Sequence, residues 1–205
     1  MKRLAILGAG GHGKVVADTA ESCGWQCVEF FGDEWPARTM NGHWPISGNT
    51  ASLLSRVGEF DGVIVAIGSN SVRRCKVEEL ETAGAQLVTL VHPSAVISPR
   101  AVIGTGSVVF AGVVVSVDAR IGRGAILNTG CSVDHDCHLG SFTHISPGAR
   151  LAGGVQVGDL SWVGIGASVK QSIRIGQEVV VGAGSVVVSD IADSLTVVGV
   201  PAKAL

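Results

Sequence analysis

A six-residue period of aliphatic positions divides residues 91–192 into seventeen blocks with no residue left over. Every block begins with Val, Ile or Leu, and every block carries a small or β-branched residue four positions later. Hexapeptide repeats of this kind are typical of a parallel β-helix, in which each block supplies one short strand and one corner. Stacked coils place equivalent residues in one column, so both positions are predicted to face the core.

Residues 1–91 follow a different pattern, in which short apolar runs alternate with helix-length segments. This alternation is typical of a small parallel α/β sheet, so we predict a Rossmann-like domain over 1–91 and a β-helix domain with a C-terminal tail over 92–205. The predicted strands are 4–7, 27–31, 63–67 and 87–91, the predicted helices are 14–23, 51–57 and 71–83, and residues 35–49 are predicted to be a loop. Val15, Val16 and Ala20 are expected on the inner side of the first helix.

Composition narrows the function classes. The 205 residues carry a formal net charge of −2 and only 16% charged residues, which gives no electrostatic reason to expect nucleic acid or an anionic membrane surface. No apolar run approaches a membrane span, and the N-terminal apolar run meets glycines too soon for a signal peptide. Two of the five cysteines, Cys131 and Cys137, occupy inward repeat positions. We therefore expect a cytoplasmic protein without membrane insertion.

A glycine-rich turn follows the first predicted strand. Gly8, Gly10 and Gly13 match G-x-G-x-x-G at the start of a helix, where backbone N–H groups can approach a pyrophosphate. Asp33 lies twenty residues beyond Gly13, where a ribose-binding acid is expected. NAD is one alternative, glycines that merely permit a tight turn are another, and the small size of the unit favours one nucleotide diphosphate.

Three charged or titratable residues near this turn have two interpretations each. His12 can donate to a phosphate or sugar oxygen, or it is an exposed loop histidine. Arg73 and Arg74 can reach a phosphate, or they form a solvated helix face.

Polar residues concentrate in the repeat around His135, which has Asp134 and Asp136 on either side. A carboxylate that binds one ring nitrogen fixes the tautomer and leaves the other nitrogen free to accept a proton. Zinc is an alternative because Asp136, Cys137 and His138 are possible ligands, but Cys137 is predicted to face inward. We therefore expect a general base and no metal.

His144 lies one and a half repeats after His135, at a different place around the β-helix. The two histidines are expected to meet only when β-helices associate side by side. Gly153 lies one coil after His135, where a glycine leaves room for a ligand.

These motifs together resemble the sugar-nucleotide acetyltransferases of the bacillosamine and sialic acid acyltransferase family. The resemblance covers nearly the whole chain and is carried by Gly8-Ala9-Gly10-Gly11-His12-Gly13-Lys14-Val15-Val16, Ala66-Ile67-Gly68-Ser69-Asn70, Leu90-Val91-His92-Pro93-Ser94-Ala95, Leu127-Asn128-Thr129, Asp134-His135-Asp136-Cys137, Thr143-His144-Ile145-Ser146-Pro147-Gly148-Ala149 and Val198-Gly199-Val200-Pro201-Ala202-Lys203.

The resemblance implies a left-handed β-helix, a homotrimer with inter-subunit active sites, and acetyl-CoA as co-substrate. It makes His135 the general base and Asp136 the residue that raises its basicity, with His144, Ile165 and Ala183 along the cofactor groove. It assigns the nucleotide-sugar to Gly10, Gly11, His12, Asp33, Gly68 and Arg74. Two positions depart from the family pattern, with Gly32 in place of an acid and Ala183 in place of a common glycine.

The predicted activity is direct N-acetylation of the 4-amino group of a UDP-4-amino-4,6-dideoxy sugar for surface glycan synthesis. Alternatives are a GDP-linked amino sugar, O-acetylation of sialic acid, and a nucleotide-sugar sensor or scaffold without catalysis.

Overall fold

The computed structural model describes residues 1–205, which divide into two units, Met1–Pro93 and Ser94–Leu205. The division falls two residues after the boundary that the sequence predicts. No helix of either unit is both long and apolar enough to cross a membrane.

The first unit is built around one five-stranded sheet with helices beside it. The strands of this sheet are β1 (Arg3–Leu7), β2 (Cys27–Phe31), β3 (Met40–Asn41), β4 (Trp44–Gly48) and β5 (Gly62–Val65), and a sixth strand of the unit, β6 (Leu90–Val91), lies outside it. The helices are α1 (Gly11–Ser22), α2 (Thr50–Arg56) and α3 (Asn70–Thr82), with a 3₁₀ turn at Val57–Glu59. The sheet order is β3-β4-β2-β1-β5, in which β4, β2, β1 and β5 are parallel.

The prediction that residues 35–49 form a loop is wrong, because these residues contain the hairpin of β3 and β4. Strand β4 joins the sheet beside β2, with Ile46 opposite Phe30, and β3 pairs with β4 in the antiparallel sense. Ile46 is buried, but the prolines and glycines around it hide the strand pattern in the sequence. The sheet is therefore mixed at this edge.

Helix α1 begins at Gly11, three residues before the predicted start, because the second half of the glycine turn is already helical. Val16 and Ala20 face the core as predicted, whereas Val15 is 44% exposed. The buried positions Gly13, Val16, Ala17 and Ala20 follow the period of about 3.6 residues that an α-helix requires.

The second unit is the left-handed parallel β-helix that the six-residue period and the family resemblance predict. One sheet contains β7 (Val96–Ile97), β10 (Val114–Val115), β13 (Ser132–Val133), β16 (Arg150–Leu151), β19 (Ser168–Val169) and β22 (Val186–Val187). The second contains β8 (Val102–Ile103), β11 (Arg120–Ile121), β14 (His138–Leu139), β17 (Gln156–Val157) and β20 (Arg174–Ile175). The third contains β9 (Val108–Val109), β12 (Ile126–Leu127), β15 (His144–Ile145), β18 (Trp162–Val163), β21 (Val180–Val181), β23 (Thr196–Val198) and β24 (Lys203–Ala204).

From β7 to β22, neighbouring strands in each sheet pair residues that are eighteen positions apart. His144 is opposite Trp162, and Ser132 is opposite Arg150. Eighteen residues, or three repeats, therefore make one coil. The pattern ends in the tail, where β24 turns back antiparallel to β23.

The core of the β-helix consists of the two inward columns that the repeat predicts. From the fourth repeat onward the first residue of each block is buried, as is the residue four positions later; Leu127, Cys131 and Cys137 are each 0% exposed. Because one strand position faces inward and its neighbour faces outward, the remaining strand position is free to carry polar side chains without loss of core packing.

Candidate active site

His135 lies at the corner between β13 and β14, and its ring is held by the next residue. Its Nδ1 lies 2.8 Å from Oδ2 of Asp136. Asp136 has a φ of 59°, in the left-handed region that Asp adopts more readily than most residues. Because the carboxylate accepts the proton on Nδ1, Nε2 of the neutral ring is left as a proton acceptor. This is the tautomer that a general base requires.

Gly153 supports the other side of this ring. A Cβ atom at this position would lie 2.5 Å from both Cε1 and Nε2 of His135. The prediction that Gly153 lies one coil above His135 is confirmed by the packing, but the imidazole occupies the room that the prediction gave to a ligand.

A groove of about 550 Å³ runs along the third sheet of the β-helix. It brings together His144, Ile165 and Ala183, three of the four residues predicted to bind the cofactor. The other lining residues are Asn128, Ser146, Pro147, Trp162, Gly164, Val180, Val181 and Gly182. Gly153, the fourth predicted residue, does not line this groove and lies instead beside His135.

Trp162 forms part of this groove and was not predicted. Its ring stacks on that of His144 with centroids 4.5 Å apart and planes 25° apart, and its Nε1 donates to Oγ of Ser146 at 2.7 Å. The sequence did contain a signal, since an aromatic residue eighteen positions after a histidine must lie beside it in the next coil.

Asn128 is a second groove residue that the sequence analysis left without a role. The backbone N–H of Thr129 donates to Oδ1 of Asn128 at 2.9 Å, which fixes the orientation of the amide. Nδ2 therefore faces Nε2 of His144, 3.1 Å away, and donates to it. Because that nitrogen accepts, the proton of the neutral His144 ring is on Nδ1.

Cys137 does not join the neighbouring histidines. Its side chain is buried inside the β-helix, where Sγ donates to the carbonyl of Ala152 at 3.2 Å. Burial raises the pKa of this thiol, which disfavours the thiolate that zinc would need. No group of three or more His, Cys, Asp and Glu side chains is arranged to hold a metal ion.

A cavity of about 440 Å³ lies within the first unit beside the glycine turn. It is lined by Leu7, Gly8, Ala9, Gly10, Gly32, Asp33, Glu34, Thr50, Ile67, Val72 and Lys76. Of the predicted nucleotide-binding residues, Gly10 and Asp33 line it, while Gly11, His12, Gly68 and Arg74 do not. Lys76, a cation on α3, was not predicted.

The glycines of the turn divide into two kinds. Gly8 has a φ of 118°, and a Cβ there would lie 2.6 Å from the carbonyl oxygen of Ala66. A Cβ at Gly13 would lie 2.9 Å from the ring of Phe30. Gly10 and Gly11 have no atom within 4 Å of an added Cβ. Gly8 and Gly13 are therefore required by the packing, and the space beside Gly10 and Gly11 is open to a ligand.

A side chain at Gly32 would press on the glycine turn, because a Cβ there would lie 3.2 Å from Cβ of Ala9. The two acids after β2 are instead Asp33 and Glu34, which both line the cavity. Oγ1 of Thr50 donates to Asp33 at 3.0 Å.

Arg73 differs from both of its predicted interpretations, and His12 differs from one of its two. Arg73 is 1% exposed and donates to the carbonyls of Ile67 and Gly68 and to Oδ1 of Asn70, so it is neither solvated nor aimed at a phosphate. Burial lowers its pKa to about 10. His12 is not an exposed loop residue, because it lies in α1 and is half-buried, whereas its predicted role as a donor to the ligand remains a prediction. Burial and the charge of Arg73 lower its pKa to about 4. Its imidazole is therefore neutral at pH 7. Arg74 remains exposed.

A wider depression of about 710 Å³ lies on the second sheet of the β-helix. Arg120, His138, Gln156 and Arg174 point outward along it in register. It contains none of the predicted site residues, and we assign it no role in the chemistry.

Comparisons with known proteins match both units. Residues 3–80 match the family described as the PglD N-terminal domain. A UDP-N-acetylbacillosamine N-acetyltransferase from Bacillus subtilis (strain 168) is 38% identical over 113 residues, which are 54% of this chain and 52% of the relative. The chain thus matches about half the length of this curated relative.

Several solved structures match along the whole chain. The acetyltransferase domain of PglB from Neisseria gonorrhoeae FA1090 is 43% identical, with 100% of both chains covered and a TM-score of 0.95. The same domain has been solved in complex with acetyl coenzyme A. A variant of perosamine N-acetyltransferase from Caulobacter crescentus, solved with CoA and GDP-perosamine, is 40% identical, with 100% of this chain and 97% of that chain covered and a TM-score of 0.95. The chain therefore belongs to this family of sugar-nucleotide N-acetyltransferases with a β-helix domain.

Proposed function

We propose that this protein transfers an acetyl group from acetyl-CoA to the 4-amino group of a UDP-linked 4-amino-4,6-dideoxy sugar. The observation that carries the proposal is the His135–Asp136 pair, in which the carboxylate holds Nδ1 and leaves Nε2 to accept a proton. The Bacillus subtilis relative, a UDP-N-acetylbacillosamine N-acetyltransferase, supports the uridine nucleotide. A GDP-linked amino sugar is the second candidate, because the Caulobacter crescentus relative was solved with GDP-perosamine.

The cavity of the first unit supports binding of the nucleotide diphosphate. Gly10 and Gly11 leave open space at the N-terminus of α1, where unpaired helical N–H groups favour anions. Asp33 offers a carboxylate for ribose hydroxyls, and Lys76 adds a cation to the same wall. We assign Gly68, His12 and Arg74 to the nucleotide-sugar on the family resemblance.

The groove of the second unit supports binding of acetyl-CoA. Ile165, Val180 and Trp162 expose apolar surface that a pantetheine arm can cover. His144, Ile165 and Ala183 are the residues that we assign to the cofactor, whereas Gly153 acts by leaving room for the imidazole of His135.

The proposed chemistry is direct transfer. The neutral sugar amine attacks the thioester carbonyl, a C–N bond forms, and Nε2 of His135 takes the proton that the amine loses. Asp136 stabilises the resulting imidazolium. The tetrahedral intermediate then collapses, the C–S bond breaks, and CoA leaves as a thiolate that the imidazolium can protonate. A positioned base contributes roughly 10²–10⁴-fold to such a step.

The tetrahedral intermediate carries a negative oxygen that needs a hydrogen-bond donor. Nε2 of His144 cannot donate, because it accepts from Asn128. Asn128 lines the groove and uses only one of its two Nδ2 hydrogens on that bond. We assign the second N–H of Asn128 to the oxyanion and the His144 ring to holding that amide in place.

We further propose that the chain acts as a homotrimer in the cytoplasm. His135 lies at the corner between the first and second sheets, whereas the groove with His144 lies on the third. Sites shared between two copies would use both features. The five cysteines are free thiols, which fits a reducing compartment.

The acceptor is tested by CoA thiol release with acetyl-CoA and a panel of acceptors, with the products identified by mass. We expect one acetyl group to be added to a UDP-4-amino-4,6-dideoxy sugar. Preference for the GDP-linked sugar would move the assignment to the second candidate. Turnover of sialic acid alone would indicate O-acetylation, and no turnover with any acceptor would favour the sensor.

The base is tested with His135→Ala, Gly153→Ala and the double variant. We expect each single variant to keep its thermal midpoint and to lose roughly 10²–10⁴-fold in kcat, because the methyl group added by Gly153→Ala displaces the imidazole. The double variant should be no slower than His135→Ala, since both substitutions remove the same function, which is the positioned base. Losses that multiply would show that Gly153 acts independently of His135.

The oxyanion donor is tested with Asn128→Asp, which keeps the shape of the side chain and removes both N–H donors. We expect kcat to fall by roughly 10²–10³. The ¹⁵N spectrum should show the His144 proton move from Nδ1 to Nε2, because the carboxylate accepts instead of donating. Ser146→Ala, which removes the acceptor of the Trp162 N–H, is the control and should leave the tautomer unchanged. An unchanged kcat in Asn128→Asp would remove this residue from the mechanism.

Sharing of the site between copies is tested by mixing two inactive variants. His135→Ala removes the base, and Ala183→Trp fills the groove. We expect trimers that contain both variants to regain activity, because one site in them can combine an intact base with an intact groove. If each site belonged to a single copy, the mixed trimers would stay as inactive as the separate variants.

A further inference from the structure

Two side chains at the start of the β3–β4 hairpin hold the glycine turn from outside the cavity. Nη1 of Arg38 donates to the carbonyl of Ala9 at 3.0 Å, and Nδ2 of Asn41 donates to the carbonyl of Gly10 at 3.2 Å. We call this pair of residues the Arg38–Asn41 latch. Neither residue lines the cavity.

The geometry of the latch is fixed by its own hydrogen bonds. Nη2 of Arg38 donates to Oδ1 of Asn41 at 2.5 Å, and Nε donates to the carbonyl of Met40. A guanidinium only donates, so Oδ1 of Asn41 must face Arg38 and Nδ2 must face the carbonyl of Gly10. Asn41 is 0% exposed, so its amide has no water to compete for these bonds.

The latch determines where the amides of the turn point, together with the first hydrogen bond of α1, in which the N–H of Lys14 donates to the carbonyl of Gly10 at 3.3 Å. In a trans peptide the C=O and N–H groups point in opposite directions. Because the carbonyls of Ala9 and Gly10 face the latch, the N–H groups of Gly10 and Gly11 face away from it. These two glycines are also the ones with open space beside them.

The same arginine also contacts an acidic residue that lines the cavity. Nη1 of Arg38 lies 2.9 Å from Oε2 of Glu34, which lines the cavity. One guanidinium therefore connects the glycine turn with the acidic segment after β2. Its charge is paired with this carboxylate, so Arg38 acts through the atoms that it holds.

We propose that the Arg38–Asn41 latch is a positioning device for the diphosphate of the nucleotide-sugar. The proposal rests on the proposed function, because it takes the cavity as the nucleotide site. A turn rich in glycine has many backbone conformations, and a ligand that must select one of them binds more weakly. The latch selects the conformation in which the Gly10 and Gly11 amides are presented before the ligand arrives.

The latch depends on the direction of its donors as well as on charge. Three hydrogen bonds join Arg38 and Asn41 to each other and to the turn. A lysine at position 38 could keep the positive charge but not the planar fork of donors. A role through charge alone and a role through directed hydrogen bonds therefore predict different results for Arg38→Lys.

The test measures binding of UDP and of GDP by calorimetry to the full-length protein and to three variants. Asn41→Asp keeps an acceptor for Arg38 and removes the donor to Gly10, and Arg38→Lys keeps the charge and removes the fork. Arg56→Lys is the matched control, because Arg56 makes an ion pair of similar length with Glu59 away from the turn.

We expect Asn41→Asp and Arg38→Lys to weaken binding of the preferred nucleotide by roughly 10- to 100-fold. KM for the nucleotide-sugar should rise by a similar factor in both variants. Their kcat and their KM for acetyl-CoA should stay within about twofold of those of the unmodified protein. Hydrogen exchange of the peptide over residues 8–13 should accelerate in both variants, because the turn gains conformations. Arg56→Lys should change none of these quantities.

Faster exchange in the turn with unchanged nucleotide affinity would overturn the proposal, since the latch would then be structural only. Weak binding in Asn41→Asp but not in Arg38→Lys would also overturn it, because the fork would be dispensable. If the unmodified protein bound neither UDP nor GDP, the nucleotide assignment of the cavity would fail, and the role of the latch would fail with it.

Discussion

The eighteen-residue coil is the constraint on which the rest of the second unit depends. It places each residue directly beside the one eighteen positions later, as the pairing of His144 with Trp162 shows. The inward columns of aliphatic residues fix this register, because a shift by one residue would turn the core outward. The imidazole of His135 fits only because its neighbour in the next coil is Gly153, which has no Cβ. Core packing therefore determines the geometry of the candidate base.

Within the candidate active site, the hydrogen bonds to groups that can only donate or only accept determine which ring nitrogen of each histidine carries the proton. Asp136 assigns the proton of His135 to Nδ1, and Thr129 assigns the orientation of the Asn128 amide. The two histidines consequently differ in chemistry. Nε2 of His135 is open to an incoming proton, whereas Nε2 of His144 is already occupied by Asn128.

In the first unit, the main constraint is that the flexible glycine turn over residues 8–13 must be held in one conformation. Gly8 packs against the backbone of Ala66 and Gly13 packs against Phe30, whereas Gly10 and Gly11 are left open. Arg38 and Asn41 donate hydrogen bonds to the carbonyls of Ala9 and Gly10. Arg73 does the same for the turn after β5, where it binds the carbonyls of Ile67 and Gly68. Both turns at this edge of the sheet are thus held by buried or half-buried guanidinium groups.

The sequence by itself determined the features that depend on a local period or on a short motif. The repeat predicted the β-helix and its inward columns, and adjacency placed Asp136 beside His135. Tertiary structure decided the features that join distant segments, such as the contact of Arg38 with Ala9, the burial of Arg73, and the pairing of β4 with β2. No sequence period connects such segments. The hydrogen bonds between them depend on the path by which the chain returns to the sheet, and the spacing of residue types does not encode that path.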